Sequence, residues 1–364
     1  MNKSDKIYVA GHRGLIGSAI MRRLIRDDYA NILTKTHGEL DLTDQYQVRS
    51  FFEKERPEYV FLAAARVGGI FANNTYRAEF ICENIMIQSN VIHYAFFNEV
   101  KKLIFFACAD IYPKNCPQPA KEEYLLTGQL ESTCEPFALA KIAGLKMCES
   151  YNRQYGTNFI SVMPTNLYGP NDNYDLETSH VLPALIRKIH LGKCLQSGDF
   201  AGIRKDLQKY PIHNTEVTKL KDEEIINLLS QIGIKSNYPK NQKLVTRNSK
   251  HTTVIDLWGT GSPYREFLYV DDLADACIFL MQKYNAQDIG ECVNIGTGED
   301  LQIKELAMLI QKVVGYKGEI RWDTTKPDGT PKKLLDVLKI NKLGWKAKID
   351  LSAGLEKVYE EYSK

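Results

Sequence analysis

The spacing of three glycines near the start constrains this chain more than any other feature. Gly11, Gly14 and Gly17 stand in Gly11-His-Arg-Gly14-Leu-Ile-Gly17, after the short apolar run Lys6–Ala10 and before apolar residues that recur at helical spacing from Leu15 to Leu24. Strand, glycine turn and helix together make a unit that holds a dinucleotide. The first glycine permits the tight turn, the second lets backbone N–H groups reach a pyrophosphate, and the third allows the helix to pack closely on the strand. The spacing alone is weak, and its position between strand and amphipathic helix makes it specific. Arg13 lies inside the turn, and Lys35 and His37 follow the second strand, where many NAD enzymes carry an acid for the ribose 2′-hydroxyl. Positive charge there suits a 2′-phosphate, so NADP is expected over NAD, with Asp41 facing the adenine end.

The rest of the chain continues in the same alternation. Strands are expected at Ala30–Leu33, Tyr59–Ala64, Lys102–Ala107 and Asn158–Met163, and helices near Gln45–Glu55, Ile81–Glu99 and Phe137–Tyr155. Short connections between alternating strands and helices predict an α/β fold with a doubly wound parallel sheet of the Rossmann type. At 364 residues the chain exceeds one average domain. The expected division is a dinucleotide domain from 1–170 with part of 254–300, a smaller substrate domain from 171–190 and 300–364, and an insertion at 191–253. That insertion is rich in Lys, Asp, Asn and Gln and holds one amphipathic stretch at 222–234. It reads as a helical elaboration followed by a polar loop, solvated and without a catalytic part.

Composition narrows the function classes. The balance of 47 basic against 45 acidic residues leaves no electrostatic footprint for nucleic acid. No apolar run approaches the roughly 18 to 20 residues that span a bilayer, and the opening MNKSDKIYVAG enters a strand instead of a signal-peptide core, so a cytoplasmic enzyme without membrane partners is expected. The eight cysteines show no C-x-x-C pair and no histidine at zinc-finger spacing, which predicts reduced thiols and no metal site.

Longer strings carry a resemblance. The turn AGHRGLIGSAI is joined by ELDLTD at 39–44, AAARVGGIFANN at 63–74 and FICENIMIQSNVIH at 80–93. MPTNLYGPNDNYDLETSHVLPALIRK at 163–188, WGTGSPYREFLYVDDLADA at 258–276 and KPDGTPKKLLD at 326–336 follow. These resemble the GDP-L-fucose synthase family of extended short-chain dehydrogenases/reductases over most of the chain except 191–253. In that family a Ser and a Tyr-x-x-x-Lys pair handle the proton that accompanies hydride transfer at sugar C4, while a Cys and a His exchange protons at C3 and C5. Carried over residue by residue, the Ser position is Cys108, the Cys position is Asp110, and the Tyr-x-x-x-Lys motif reads Phe137-Ala-Leu-Ala-Lys141. The lysine and His180 are retained, and the phenol is gone. Loss of a positioned acid costs roughly 10² to 10⁴ in rate.

The resemblance implies a cofactor set of Gly11, Arg13, Gly14, Leu15, Ile16, Gly17, Lys35, His37, Asp41, Ala64, Lys141, Pro164, Thr165, Asn166, Leu167 and His180. Pro164–Leu167 resembles the loop lining the nicotinamide. Asn166, Lys188, Trp258, Arg265 and Asp328 match substrate-contacting positions, with Lys188 and Arg265 suited to a diphosphate and Asp328 to polar groups of base or sugar. Asn73 and Asn74 either order the pocket or form an Asx-turn. The resemblance also implies a homodimer through the helices near 81–99 and 137–155.

The leading expectation is an NADPH-dependent C4-reductase of a GDP-linked 4-keto-6-deoxy sugar, either the fucose precursor or a heptose relative. The proton to the C4 oxygen would come from water near Lys141 and Asn166, or from Cys108. The alternative is an epimerase that exchanges C3 or C5 protons through Asp110 and His180 without net redox. A third reading is a non-catalytic nucleotide-sugar binder.

Overall fold

A computed structural model describes residues 1–213, 215–236 and 252–364, which fall into two compact units. The first comprises Met1–Asp172, Arg265–Asp300 and Lys332–Gly354. Its centre is a sheet of β1 (Ile7–Ala10), β2 (Ile32–Leu33), β3 (Tyr59–Leu62), β4 (Lys102–Phe106), β5 (Phe159–Pro164) and β6 (Val293–Ile295). Every pair is parallel and the spatial order is β6-β5-β4-β3-β1-β2. The chain leaves β1 to one side and returns to β3 on the other. The strand order therefore reverses at the β1/β3 boundary, where open α/β sheets form their ligand crevice at the carboxyl ends.

Alternate side chains of each strand feed opposite cores, as the twofold period of a strand requires. Tyr8, Val60, Leu62, Leu103 and Phe105 pack with α2 (Gln45–Glu55), α3 (Arg77–Phe97) and α4 (Glu135–Tyr155) through Val48, Phe52, Val91, Ile92 and Leu145. Ile7, Val9, Phe61, Ile104, Phe106, Ile160 and Val162 pack on the other face with α1 (Leu15–Arg26) and α5 (Val270–Lys283). The doubly wound parallel sheet is as the sequence predicts. Helix α3 starts at Arg77, ahead of the expected Ile81, because a short helix Ile70–Thr75 runs straight into it through Tyr76 N to Ala72 O and Phe80 N to Tyr76 O bonds. Helix α4 gains Pro136 in its first turn, where the missing N–H is harmless, and ends on Gly156 in the left-handed region at φ +68°.

Asn166 and Leu167, expected in the loop Pro164–Leu167, belong to a strand Asn166–Tyr168 paired in parallel with Phe267–Tyr269. Thr165 N donates to Ile295 O (3.0 Å), so Pro164–Leu167 is woven into sheet edges.

The second unit comprises Asn173–Tyr264, Leu301–Pro331 and Leu355–Lys364. Strand Thr253–Trp258 pairs in parallel with Glu319–Asp323 and antiparallel with Ile234–Ser236. The helix Val181–Ser197 continues through Leu191, so the change of composition expected there falls within one helix. The described part of 191–253 is not simply a solvated elaboration. Ile203, Leu207, Ile225, Leu229 and Ile234 are fully buried, and Asp206 accepts from the fully buried Arg187 Nε at 2.9 Å and from the Tyr362 hydroxyl. The polar loop expected towards the end of that segment lies outside the described residues. Among those described, no helix is long and apolar enough to cross a membrane.

Candidate active site

The glycine turn sits at the β1/β3 boundary. Gly11 has φ +79°, and a Cβ there would lie 2.8 Å from the carbonyl carbon and oxygen of Ala63 and from Ala64 N. A Cβ on Gly17 would come within 2.6 Å of Gly11 C and 2.9 Å of His12 Cα. Both glycines are thus demanded by the protein's own packing. Gly14 is different: its Cβ would meet only Gly11 O, at an ordinary 3.5 Å. It caps α1 with no side-chain hydrogen bond and with no acidic residue in the first turn, which leaves the positive end of the helix to a ligand anion. Leu15 and Ile16, partly buried, anchor this turn on the core beneath. The cradle therefore fits a dinucleotide pyrophosphate.

Beyond β2 the field is basic. Glu39 accepts from Thr36 N and Oγ1, both at 2.7 Å, and these bonds, with the charges of Lys35 and Arg13, hold its carboxyl below the usual range. His37 is exposed and 3.9 Å from Asp41. Asp41 Oδ1 accepts from Thr43 N (2.9 Å) and Oγ1 (2.7 Å), so it closes an Asx-turn.

The second cluster follows β4. A single 3-10 turn, Ala109–Ile111, comes after Cys108, whose backbone is extended. Burial, reinforced by the charge of Asp110, pushes the Cys108 thiol up to about 12. Phe137 is buried against Ala72 and Phe80, with Cys108 packed on the cluster and the Phe80 ring edge-on at 6.2 Å. Lys141 Nζ donates to Phe106 O at 2.9 Å and lies 5.0 Å from the Phe105 ring centre and 5.7 Å from that of Phe137. Burial draws its pKa down to about 8.

Asp110 forms an ion pair with Lys333, both side chains being partly exposed. Lys333 lies inside the string KPDGTPKKLLD but carries no spacing signal of its own, and sequence reasoning missed it. Asn166 Nδ2 donates to Glu266 O (2.9 Å), which fixes its amide, and Asn73 Nδ2 donates to Gly68 O (2.6 Å) and Gly69 O (3.1 Å). Asn73 thus braces the loop after β3 from within a short helix, and it does not build the Asx-turn considered from the sequence.

In the second unit, His180 is exposed at the N-terminal boundary of Val181–Ser197. Lys188 Nζ approaches Asp256 O at 3.4 Å, and burial lowers its pKa to about 8. Trp258 is 64% exposed with Lys326 Nζ 5.4 Å from its ring centre, and Asp328 accepts from Thr260 N (2.9 Å) and Oγ1 (2.6 Å). No group of three potential metal ligands occurs among the described residues.

Comparison with known proteins decides the family. The model of the NAD dependent epimerase/dehydratase family matches residues 7–205 and 235–296. The chain belongs to that enzyme family. Within it, GDP-L-fucose synthase 1 of Arabidopsis thaliana is 48% identical, over 100% of this chain and 94% of that protein. A GDP-6-OMe-4-keto-L-xylo-heptose reductase from C. jejuni, of known structure, is 44% identical with a TM-score of 0.89, over 100% of this chain and 98% of that one. A GDP-mannoheptose C4 reductase from Campylobacter jejuni, with NADP bound, is 44% identical with a TM-score of 0.84, over 100% of both chains. The chain is therefore a GDP-L-fucose synthase-like member of the epimerase/dehydratase family, and the resemblance read from its sequence holds over its full length.

Proposed function

We propose that this protein is an NADPH-dependent C4-reductase of a GDP-linked 4-keto-6-deoxy sugar, the fucose precursor or a heptose relative. The observation that carries the reading is the intact glycine cradle, built with an open face at Gly14 and a basic flank of Arg13 and Lys35. NADPH, when bound, supplies the hydride. The cradle holds its pyrophosphate, Arg13, Lys35 and His37 favour its 2′-phosphate, and Lys141 holds the nicotinamide ribose. Asn166, Lys188, Trp258, Arg265 and Asp328 are assigned to the nucleotide sugar, and Leu15, Ile16, Ala64 and Pro164–Leu167 to the walls of the cofactor site.

With Phe137 in place of the phenol, the proton for the C4 oxygen comes from the Cys108 thiol or from water beside Lys141. A thiol with a pKa of about 12 keeps its proton at neutral pH and is still far more acidic than the alcohol formed when the alkoxide takes that proton. The Asp110–Lys333 pair weighs against the epimerase alternative, because a carboxylate neutralised by an ammonium is a poorer base. The reading includes a cytoplasmic homodimer that serves capsule or lipopolysaccharide sugars. Helices α3 and α4 expose Ile85, Met86 and Leu139 for that contact.

The test is incubation with NADPH and a GDP-4-keto-6-deoxy sugar. Fall of the nicotinamide absorbance with formation of the C4 alcohol is expected. Tight NADPH binding with no turnover of either the hexose or the heptose ketone would refute it.

A further inference from the structure

The backbone that directly follows Lys333 is held from both sides. Leu334 N donates to Gln118 Oε1 (2.8 Å) and Ala120 N to Leu334 O (2.7 Å), while Leu335 N donates to Glu266 Oε2 (3.0 Å). Glu266 is fully buried, and its other oxygen accepts from Thr297 N (2.6 Å) and Gly298 N (2.7 Å). The side chain that leaves this braced segment ends on Asp110, on the turn after β4. Partial burial works to lower the pKa of Lys333, but the Asp110 carboxylate outweighs it and raises the pKa, so the lysine stays an ammonium. Arg265 adds a second positive charge within range of Lys333. Asp110 therefore faces a fixed cation.

That environment is the opposite of what a carbon-acid base needs. To remove the hydrogen at C3 or C5 of a 4-keto sugar, a carboxylate must take the proton while the C–H electron pair moves into the ketone and leaves an enolate oxygen at C4. Efficient bases of this kind have their pKa raised by apolar surroundings, whereas an adjacent cation lowers it by about 1–3 units.

We propose that Lys333 is a positioning residue that sets reaction specificity: by holding the Asp110 carboxylate in an ion pair, it keeps that group from the C3 and C5 hydrogens, so the ketone is reduced without being epimerised. The inference rests on the C4-reductase reading. It assigns Lys333 a role that differs from substrate binding, since its target is a side chain of the same protein.

The experiment uses the full chain loaded with oxidised NADP, so that reduction cannot compete, and a GDP-4-keto-6-deoxy sugar in D₂O followed by NMR. Wild type is expected to place deuterium at C3 and C5 no faster than buffer. Lys333→Met should exchange about tenfold faster or more, Lys333→Arg should remain at the wild-type level, and adding Asp110→Asn to Lys333→Met should return exchange to background. A Lys333→Met protein that binds NADP but gains no exchange overturns the proposal. A wild-type protein whose own exchange is rapid and lost in Asp110→Asn also overturns it, whatever the folding of the lysine variants. Reduction of the same sugar by wild type with NADPH is measured alongside, and its absence would sink the reductase reading instead.

Discussion

Two regions of the first unit, the cradle after β1 and the turn after β4, are built in opposite ways. In the cradle, recognition is done by backbone, and the glycines are enforced from within. Gly11 and Gly17 are hemmed in by main-chain atoms of Ala63 and of the turn itself. After β4, the candidate groups are side chains carried on a 3-10 turn and a helix. By the resemblance read from the sequence, Cys108, Asp110 and Phe137 stand where Ser, Cys and Tyr are expected, and β4, the 3-10 turn and α4 are all formed. A Cβ at Gly11 or Gly17 would strain the fold, whereas Cys108, Asp110 and Phe137 present their chemistry through side chains on a turn and a helix.

The largest effect should come from breaking the cradle. Gly11→Ala forces a Cβ to 2.8 Å from Ala63 in a left-handed conformation, and about 2–4 kcal/mol of stability should be lost together with NADPH binding. Gly38→Ala, which would meet nothing within 4 Å, should leave both unchanged. Chemical denaturation with a cofactor titration reads the contrast, and equal effects would show that the cradle is not sterically enforced.

Restoring the lost chemistry should be the next largest. Phe137→Tyr is expected to raise kcat for NADPH oxidation about tenfold or more, because it returns a phenol within reach of the Lys141 ammonium. Absence of any gain in steady-state turnover would mean that the proton already arrives efficiently by another route.

Lys141 gives a pH signature of moderate size. Burial lowers its pKa to about 8, so the ammonium is present below that pH and is lost as pH rises through it. kcat/KM for NADPH should then fall above pH about 8, by about tenfold per unit, and Lys141→Met should remove that limb. Lys188 is lowered to a similar value, and its loss should appear in kcat/KM for the sugar instead. A profile for NADPH that is unaltered in Lys141→Met would dissociate the lysine from the cofactor.

The smallest effect is expected at the rim. Lys35→Ala should weaken NADPH by about tenfold and leave NADH unchanged, measured by equilibrium titration of both. Equal weakening would place Lys35 away from the 2′-phosphate.

What was legible in the sequence follows the same division. The glycine turn, β1, α1 and α2 are set by local sterics and periodicity, so their residues alone suffice. The Asn166–Tyr168 strand was not legible, because its partner at Phe267–Tyr269 lies far along the chain. The buried Arg187–Asp206 pair was not legible either, because Asp206 lies in a segment that reads as polar surface and Arg187 lies ahead of that segment. The Asp110–Lys333 pair joins residues separated by 223 positions, and no periodicity connects them. Asp110 could be singled out as a changed residue, but its partner decides what the change does, and only the fold supplies the partner.

The central claim is that a preserved cradle still serves hydride transfer to C4 although the neighbouring side chains have been exchanged. The most direct measurement is turnover with NADPH that carries deuterium at the transferable position of the nicotinamide, with the product sugar examined by NMR. The account predicts one deuterium at sugar C4 for each NADPH consumed. A sugar that is altered at C3 or C5 with no deuterium at C4 and no loss of NADPH would contradict it.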